Sequence, residues 1–232
     1  MRFSSLQMEN CSTYQRFKNV NGVETFVFEE HNLALPVWGY FSHSLRQPLS
    51  LVSFDHHTDT HRPSHEALRI AANLRSNGLC DSNGEYAFEY IWKLSCCSVR
   101  NDEHILTGVS LGVISGYCII CDFDYDECNS YMEQDALYSW PCISYISREM
   151  LLSGQTVIPN IKPPFVLDFD LDFFHESSDF SDALIEVVSP LVGSASCITV
   201  AREHRFFDME KSDQEYSNDH ALQDLKQLIL CG

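Results

Sequence analysis

Apolar residues along the chain fall into two periods, continuous β-type runs and helical stripes, and the two alternate. Glu24-Thr25-Phe26-Val27-Phe28-Glu29 is rich in β-formers and predicts a strand. Leu49 to Phe54 is an uninterrupted apolar run of the kind buried on both faces of a sheet. Gly116 to Phe123, Phe165-Val166-Leu167 after Pro163-Pro164, and Cys197-Ile198-Thr199-Val200 predict three more strands. Between them, Ser64 caps a helical pattern that runs to Leu74 and stops at Asn77-Gly78. Tyr86, Phe88, Tyr90, Ile91 and Leu94 predict a helix that starts near Gly84. Phe180, Leu184, Ile185, Val187, Val188 and Leu191 predict one across 178–191 with Gly193 as its stop. Leu222, Leu225, Leu228 and Ile229 line one face of the last. His31 to Leu35 is expected to be a turn into a short irregular or helical piece ended by Pro36, and Asp122 to Glu127 an acidic loop. Residues 1–22 are polar and mixed, an arm or an edge, and residues 80–160 carry the weakest signals.

Strands separated by helices imply parallel βαβ units, hence an α/β fold with three αβα layers and a mostly parallel sheet. The length of 232 residues suits one domain over 1–232. No stretch approaches the roughly 18 apolar residues of a membrane span, and Met1 to Leu6 lacks the apolar core of a secretory signal. The expected location is the cytoplasm, with the 10 cysteines reduced. Cys118-Ile119-Ile120-Cys121 lies inside a strand-like run, so it reads as buried thiols rather than a redox pair. A formal charge of −18 argues against nucleic acid and anionic membrane as partners. It favours metal ions and basic substrates, although a solubilising acidic surface accounts for part of it.

The candidate chemistry follows the strands. Asp55-His56-His57-Thr58-Asp59-Thr60-His61 comes directly after the second strand, and Asp168-Phe169-Asp170-Leu171-Asp172 directly after Phe165-Val166-Leu167. In each the acidic or imidazole groups recur every second residue, so an extended backbone would send Asp55, His57 and Asp59 to one side and His56 to the other. Ligands in open parallel sheets bind at the carboxyl ends of strands. His31, Asp55, His57, Asp59, Asp170 and Asp172 therefore assemble into a ligand set of four carboxylates and two imidazoles. Two divalent cations would bring it near neutrality. The donor types suit Mn²⁺, with Fe²⁺, Co²⁺ and Ni²⁺ behind it. Taken singly, the first motif could be a polar loop with capping aspartates, and His31 a hydrogen-bonded core histidine. Several carboxylates buried side by side without cations would be costly.

These motifs resemble those of the arginase and ureohydrolase superfamily. Asp55-His56-His57-Thr58-Asp59 is similar to its Asp-x-His-x-Asp, Asp168 to Asp172 to its Ser-x-Asp-x-Asp with Asp168 in place of Ser, and His31-Asn32-Leu33-Ala34 to its His-Ser-Leu-Ala. The resemblance implies an arginase-like fold. It also implies one Mn²⁺ on His31, Asp55, Asp59 and Asp170, and another on Asp55, His57, Asp170 and Asp172. The implied reaction is hydrolysis of a guanidinium group to urea. Glu203 resembles in position the family's guanidinium-binding glutamate, or it is a surface charge beside Arg202 and His204. His61 stands where enzymes of free arginine carry Asn for the substrate's carboxylate. It is a candidate proton shuttle, with His65 second, or else a plain loop residue. The flavour is that of the peptide arginases, so the expected substrate is an arginine-containing precursor peptide, converted to ornithine and urea in the maturation of a ribosomal peptide. The chain is shorter than ordinary arginases, which would leave the site open to a polymer. A ureohydrolase of small agmatine-like compounds and a non-catalytic, metal-stabilised peptide-binding module are the alternatives.

Overall fold

The structure is a computed structural model; it describes residues 13–81 and 84–231. Seven strands form one sheet: β1 (Gln15–Lys18), β2 (Glu24–Phe28), β3 (Leu49–Phe54), β4 (Ile114–Cys121), β5 (Cys142–Ser147), β6 (Phe165–Asp170) and β7 (Cys197–Ala201). Their spatial order is β1-β2-β7-β6-β3-β4-β5. β1 pairs antiparallel to β2 as an edge, and every other pairing is parallel. This is the expected mostly parallel α/β sheet, and its long crossovers are helices.

Helices cover both faces. On one lie α1 (Ala34–Leu45), α2 (His65–Ser76), α3 (Phe88–Ser98), α4 (His104–Leu111) and α5 (Tyr125–Leu137). On the other lie α7 (Asp182–Ser194) and α9 (Asn218–Cys231), with the short α6 (Arg148–Leu152) and α8 (His204–Glu210) nearby. Alternation along β3 divides the core. Leu51 joins Trp38, Ala71, Ile91 and Ile105, while Val52 and Phe54 join Leu184, Val188, Leu225 and Ile229. Both faces of the first half of β6 and most of β3 are apolar, and only towards their carboxyl ends does one face turn polar, with Ser53, Asp168 and Asp170. Each large side chain fully buried there contributes about 1.5–3 kcal/mol.

Several expectations shift. Pro36 does not end the piece after His31; it sits in the first turn of α1, where a missing N–H costs no intrahelical bond. Gly193 does not stop α7, which runs on to Ser194. The acidic stretch after β4 is a loop only as far as Asp124, which caps α5 by accepting from the Glu127 amide at 2.9 Å. Cys118 and Cys121 are buried and free, and their odd spacing places them on opposite faces of β4, so they cannot pair. Residues 1–12 lie outside the described residues, and the edge expected before residue 22 is β1.

α1 packs closely on the turn before α3. The Tyr86 hydroxyl donates to the Pro36 carbonyl at 2.7 Å, and a Cβ at Gly39 would collide with that hydroxyl. Gly39→Ala is expected to destabilise the fold by about 1–3 kcal/mol. Chemical denaturation of Gly39→Ala, Tyr86→Phe and the double variant checks this, because the cost of Gly39→Ala should shrink once the hydroxyl is gone.

Candidate metal centre

Six parallel strands end at one edge of the sheet, and the segments that close or follow four of them carry the site. His31 follows β2, Asp55 follows β3, Asp170 closes β6, and Glu203 follows β7. The sheet register sets Ser53 beside Asp168 and Asp168 beside Thr199. Ser53 Oγ donates to Asp168 Oδ2 at 2.9 Å, Thr199 Oγ1 donates to Oδ1 at 2.5 Å, and the Trp38 indole donates to Thr199 at 3.2 Å. Asp168, fully buried, also lies 2.8 Å from His31 Nε2. That contact assigns the Nε2 proton and turns His31 Nδ1 inward, the carboxylate–histidine arrangement that orients metal ligands. Asp168 is thus an orienting group rather than a member of the donor set, a role its place in the acidic run gave no sign of.

His31 Nδ1 sits 3.1 Å from Asp59 Oδ2, 3.2 Å from Asp170 Oδ2 and 3.5 Å from Asp55 Oδ2. His57 Nδ1 sits 3.3 Å from Asp172 Oδ2 and 3.8 Å from Asp55 Oδ1. Two donor groups emerge, His31–Asp55–Asp170 and Asp55–His57–Asp172, with Asp55 common to both. The six residues of the expected ligand set are therefore brought together. His31 Nδ1, Asp55 Oδ2 and Asp172 Oδ2 are buried yet lack any aligned hydrogen-bond partner. Buried polar atoms are nearly always paired, so three orphans aimed at one volume fit cations held between them. The donor chemistry fits too, since four aspartates balance two divalent charges.

Convergence is not achieved by strand alternation. β3 ends at Phe54, the Asp55 carboxylate accepts from the His57 amide at 2.7 Å, and Asp59 has φ +49°. The loop curls around its own first aspartate, and Asp59 enters from a left-handed conformation that Asp tolerates better than most residues. Glu203 shares that backbone region at φ +36°. It is no surface charge: it is 9% exposed, and its Oε1 accepts from the His31 amide at 3.0 Å. Asn32, next to His31, donates to the carbonyls of Ser95 and Val99, which pins the turn to the end of α3.

His104 is the residue the sequence did not reveal. It is fully buried, its ring lies 4.1 Å from that of His31, and its Nδ1 is 3.5 Å from Asp59 Oδ2 and 2.6 Å from the Asn101 carbonyl. Its Nε2 has no partner. Burial first, then the charge of His31, lowers its pKa to about 4, so it is a neutral donor candidate beside Asp59.

A cleft of about 440 Å³ opens onto the site, walled by Glu203, His57, Asp59 and His61 and by Phe123, Tyr131 and Phe206. His61 is an exposed rim residue with Nδ1 3.5 Å from Asp102, and it belongs to none of the donor groups among the described residues. His65 begins α2 and is exposed, away from the cleft walls.

No protein-family model matches the sequence, and no curated protein matches it. Among solved structures, a proclavaminate amidino hydrolase from Streptomyces clavuligerus is 13% identical, covering 89% of this chain and 62% of its own at a TM-score of 0.46. A hypothetical agmatinase from Burkholderia thailandensis is 15% identical, covering 89% and 57% at 0.44. This chain thus spans about three-fifths of the length of either. Similarity at that level assigns neither substrate nor activity.

The electrostatics of the donor groups show what a cation must replace. Burial, then Asp59, Asp172 and Asp170, holds the Asp55 pKa well above the usual carboxylate range; burial, then Asp172 and Glu203, does the same to Asp170. Burial works to lower His31, but Asp168, Asp170 and Asp59 outweigh it and leave His31 raised. These groups hold protons in the folded chain that the unfolded chain has released, above about pH 4 for the aspartates and about pH 6.5 for His31. Their stabilisation is therefore lost as pH rises through the folded values. Asp59 and Asp168 are lowered instead, against the pull of burial, mainly by His31, and they contribute nothing to a slope above neutrality. Without metal, the melting temperature should fall as pH rises above about 6.5, where the unfolded chain has released the His31 proton and the folded chain still holds it. The rise produced by Mn²⁺ should grow over the same interval, because the ion displaces those protons. Differential scanning fluorimetry with and without Mn²⁺ checks both slopes. A second outcome follows from Asp168: Asp168→Asn should weaken Mn²⁺ binding by about 10–100-fold, as measured by calorimetry.

Proposed function

We propose that this protein is a metal-dependent hydrolase of guanidino groups, with arginine in a peptide as substrate. The observation that carries this reading is the paired set of orphaned donors at the strand ends, with the buried carboxylate of Glu203 beside it in one cleft. Two divalent cations, Mn²⁺ by donor type, would be held by His31, Asp55, His57, Asp59, Asp170 and Asp172, and when bound they would bring the pKa of a water between them towards neutral.

The chain's own groups supply the rest. Glu203 receives the guanidinium: burial, ahead of Asp59 and Asp172 and against the pull of His31, pushes its pKa up to about 7, and an arriving cation favours the ionised form. The His31 amide, donating to Oε1, holds the carboxylate beside the ligand set. Phe123, Tyr131 and Phe206 flank the cleft and suit the planar guanidinium and its aliphatic stem. Water adds to the guanidinium carbon; the C–N bond to the side-chain nitrogen breaks; that nitrogen leaves as an amine after gaining a proton. The products are urea and ornithine. His61, on the cleft wall with Nδ1 3.5 Å from Asp102, would carry that proton between solvent and cleft.

Support for a peptide comes from the rim. His57 and His61 are substantially exposed on the cleft wall, and the chain's charge of −18 would draw a basic peptide. A small agmatine-like guanidine is favoured by one observation, a cleft volume of about 440 Å³ within the range of small-ligand sites.

Incubating the Mn²⁺-loaded protein with arginine peptides, free arginine and agmatine, and following urea and product mass, separates the readings. Peptide turnover, seen as an arginine losing the elements of cyanamide, supports the first. Urea from agmatine alone supports the second, and peptide binding without urea means a binding module. Glu203→Gln should keep the metal content and the contact to His31 while raising KM by roughly 30-fold or more, the equivalent of losing a buried charge pair worth ~2 kcal/mol or above.

A further inference from the structure

His56 takes no part in the centre described above, and its surroundings are unusual. On the outer side of the loop after β3, His56 Nδ1 lies 3.3 Å from His175 Nε2 and 3.7 Å from Asp122 Oδ2, and His175 Nε2 lies 3.7 Å from the same Asp122 oxygen. Donors bound at about 2.0–2.2 Å around a tetrahedral ion stand roughly 3.3–3.6 Å apart, so this triangle has the dimensions of one face of such a polyhedron. One proton between the two imidazoles would serve a single edge of the triangle; a cation serves all three atoms.

The three residues come from loops after β3, β4 and β6, which are adjacent strands. Each loop is held by its backbone. The Asp122 amide donates to the His56 carbonyl at 3.3 Å, the His56 amide to Asp172 Oδ1 at 3.2 Å, and the His175 amide to Asp179 Oδ2 at 2.6 Å. The remaining nitrogen of His56, Nε2, faces Glu210 Oε2 on α8 at 3.4 Å. A carboxylate behind the distal nitrogen of a histidine fixes its tautomer and orients it for a metal.

We propose that His56, Asp122 and His175 form a third divalent-cation site, distinct from the binuclear centre, that takes Zn²⁺ with water in the fourth position. Two imidazoles and one carboxylate at tetrahedral spacing are zinc-type donors, whereas the aspartate-rich centre nearby suits harder ions. The ion clasps the three loops together and, through the His56 backbone, braces the segment that carries Asp55, His57 and Asp59. The inference does not depend on the guanidino-hydrolase reading.

The test is the difference in bound metal. The full chain and its His175→Ala and Asp122→Asn variants are equilibrated with Zn²⁺ as the only ion, and metal per chain is counted after dialysis. Each variant should hold one equivalent less than the parent, whether the parent fills three sites or, with the binuclear reading wrong, one. Equal counts in parent and folded variants would overturn the proposal. Zinc-edge anomalous scattering from crystals of the unmutated protein decides the matter independently of variant folding. A peak bonded to His56 Nδ1, His175 Nε2 and Asp122 Oδ2 is expected, and its absence from zinc-soaked crystals would also overturn the site.

Discussion

Five aspartates that share one buried volume are the constraint from which the rest of this structure follows. Asp55, Asp59, Asp168, Asp170 and Asp172 are each less than a tenth exposed and stand within one or two contacts of His31. Uncompensated, such a group would drive its own protonation or unfold the loops that hold it. The fold answers in two ways. Asp168 is neutralised by protein groups: hydroxyls from both flanking strands, and His31 Nε2. The others point their free oxygens and His31 Nδ1 at each other, an arrangement that is stable only when protons or cations lie between them.

That division of labour explains why the sheet register matters as much as the loops. Ser53, Asp168 and Thr199 are neighbours on three adjacent strands, and a slip of one residue in β6 would turn Asp168 and Asp170 to the opposite face. The stacked rings of Phe54 and Phe169, 5.1 Å apart in the next register position, pack on the face away from Asp168 and hold the same alignment. Packing on one side of the sheet thereby positions charge on the other. Trp38 extends the chain of contacts into α1, so the first helix after His31 also reports on the site.

Much of this was legible in the chain because parallel strands announce themselves as apolar runs, and the ligand residues stand immediately after them. The grouping of His31, Asp55, His57, Asp59, Asp170 and Asp172 at the strand ends needed nothing more. The manner of convergence was not legible, since a period of two in Asp55–Asp59 suggests an extended backbone, whereas an Asx-type turn and a left-handed Asp59 do the work. His104 was hidden because its neighbours in sequence form a buried helix with no motif, and only tertiary packing lays its ring on His31. Tertiary packing also decides His56, whose parity only set it on the other side from Asp55, His57 and Asp59, and which the turn at Asp55 carries to Asp122 and His175. Glu203 was visible in position but not in burial, which the contact between the ends of β2 and β7 creates.

The central claim is that Asp55 joins two cation sites into one centre, and low-temperature electron paramagnetic resonance of the Mn²⁺-loaded protein tests it most directly. The account predicts the spectrum of an exchange-coupled Mn²⁺ pair, collapsing to that of isolated ions when Asp55 is replaced by Asn. A spectrum of isolated Mn²⁺ alone from the fully loaded, unmutated chain would contradict it.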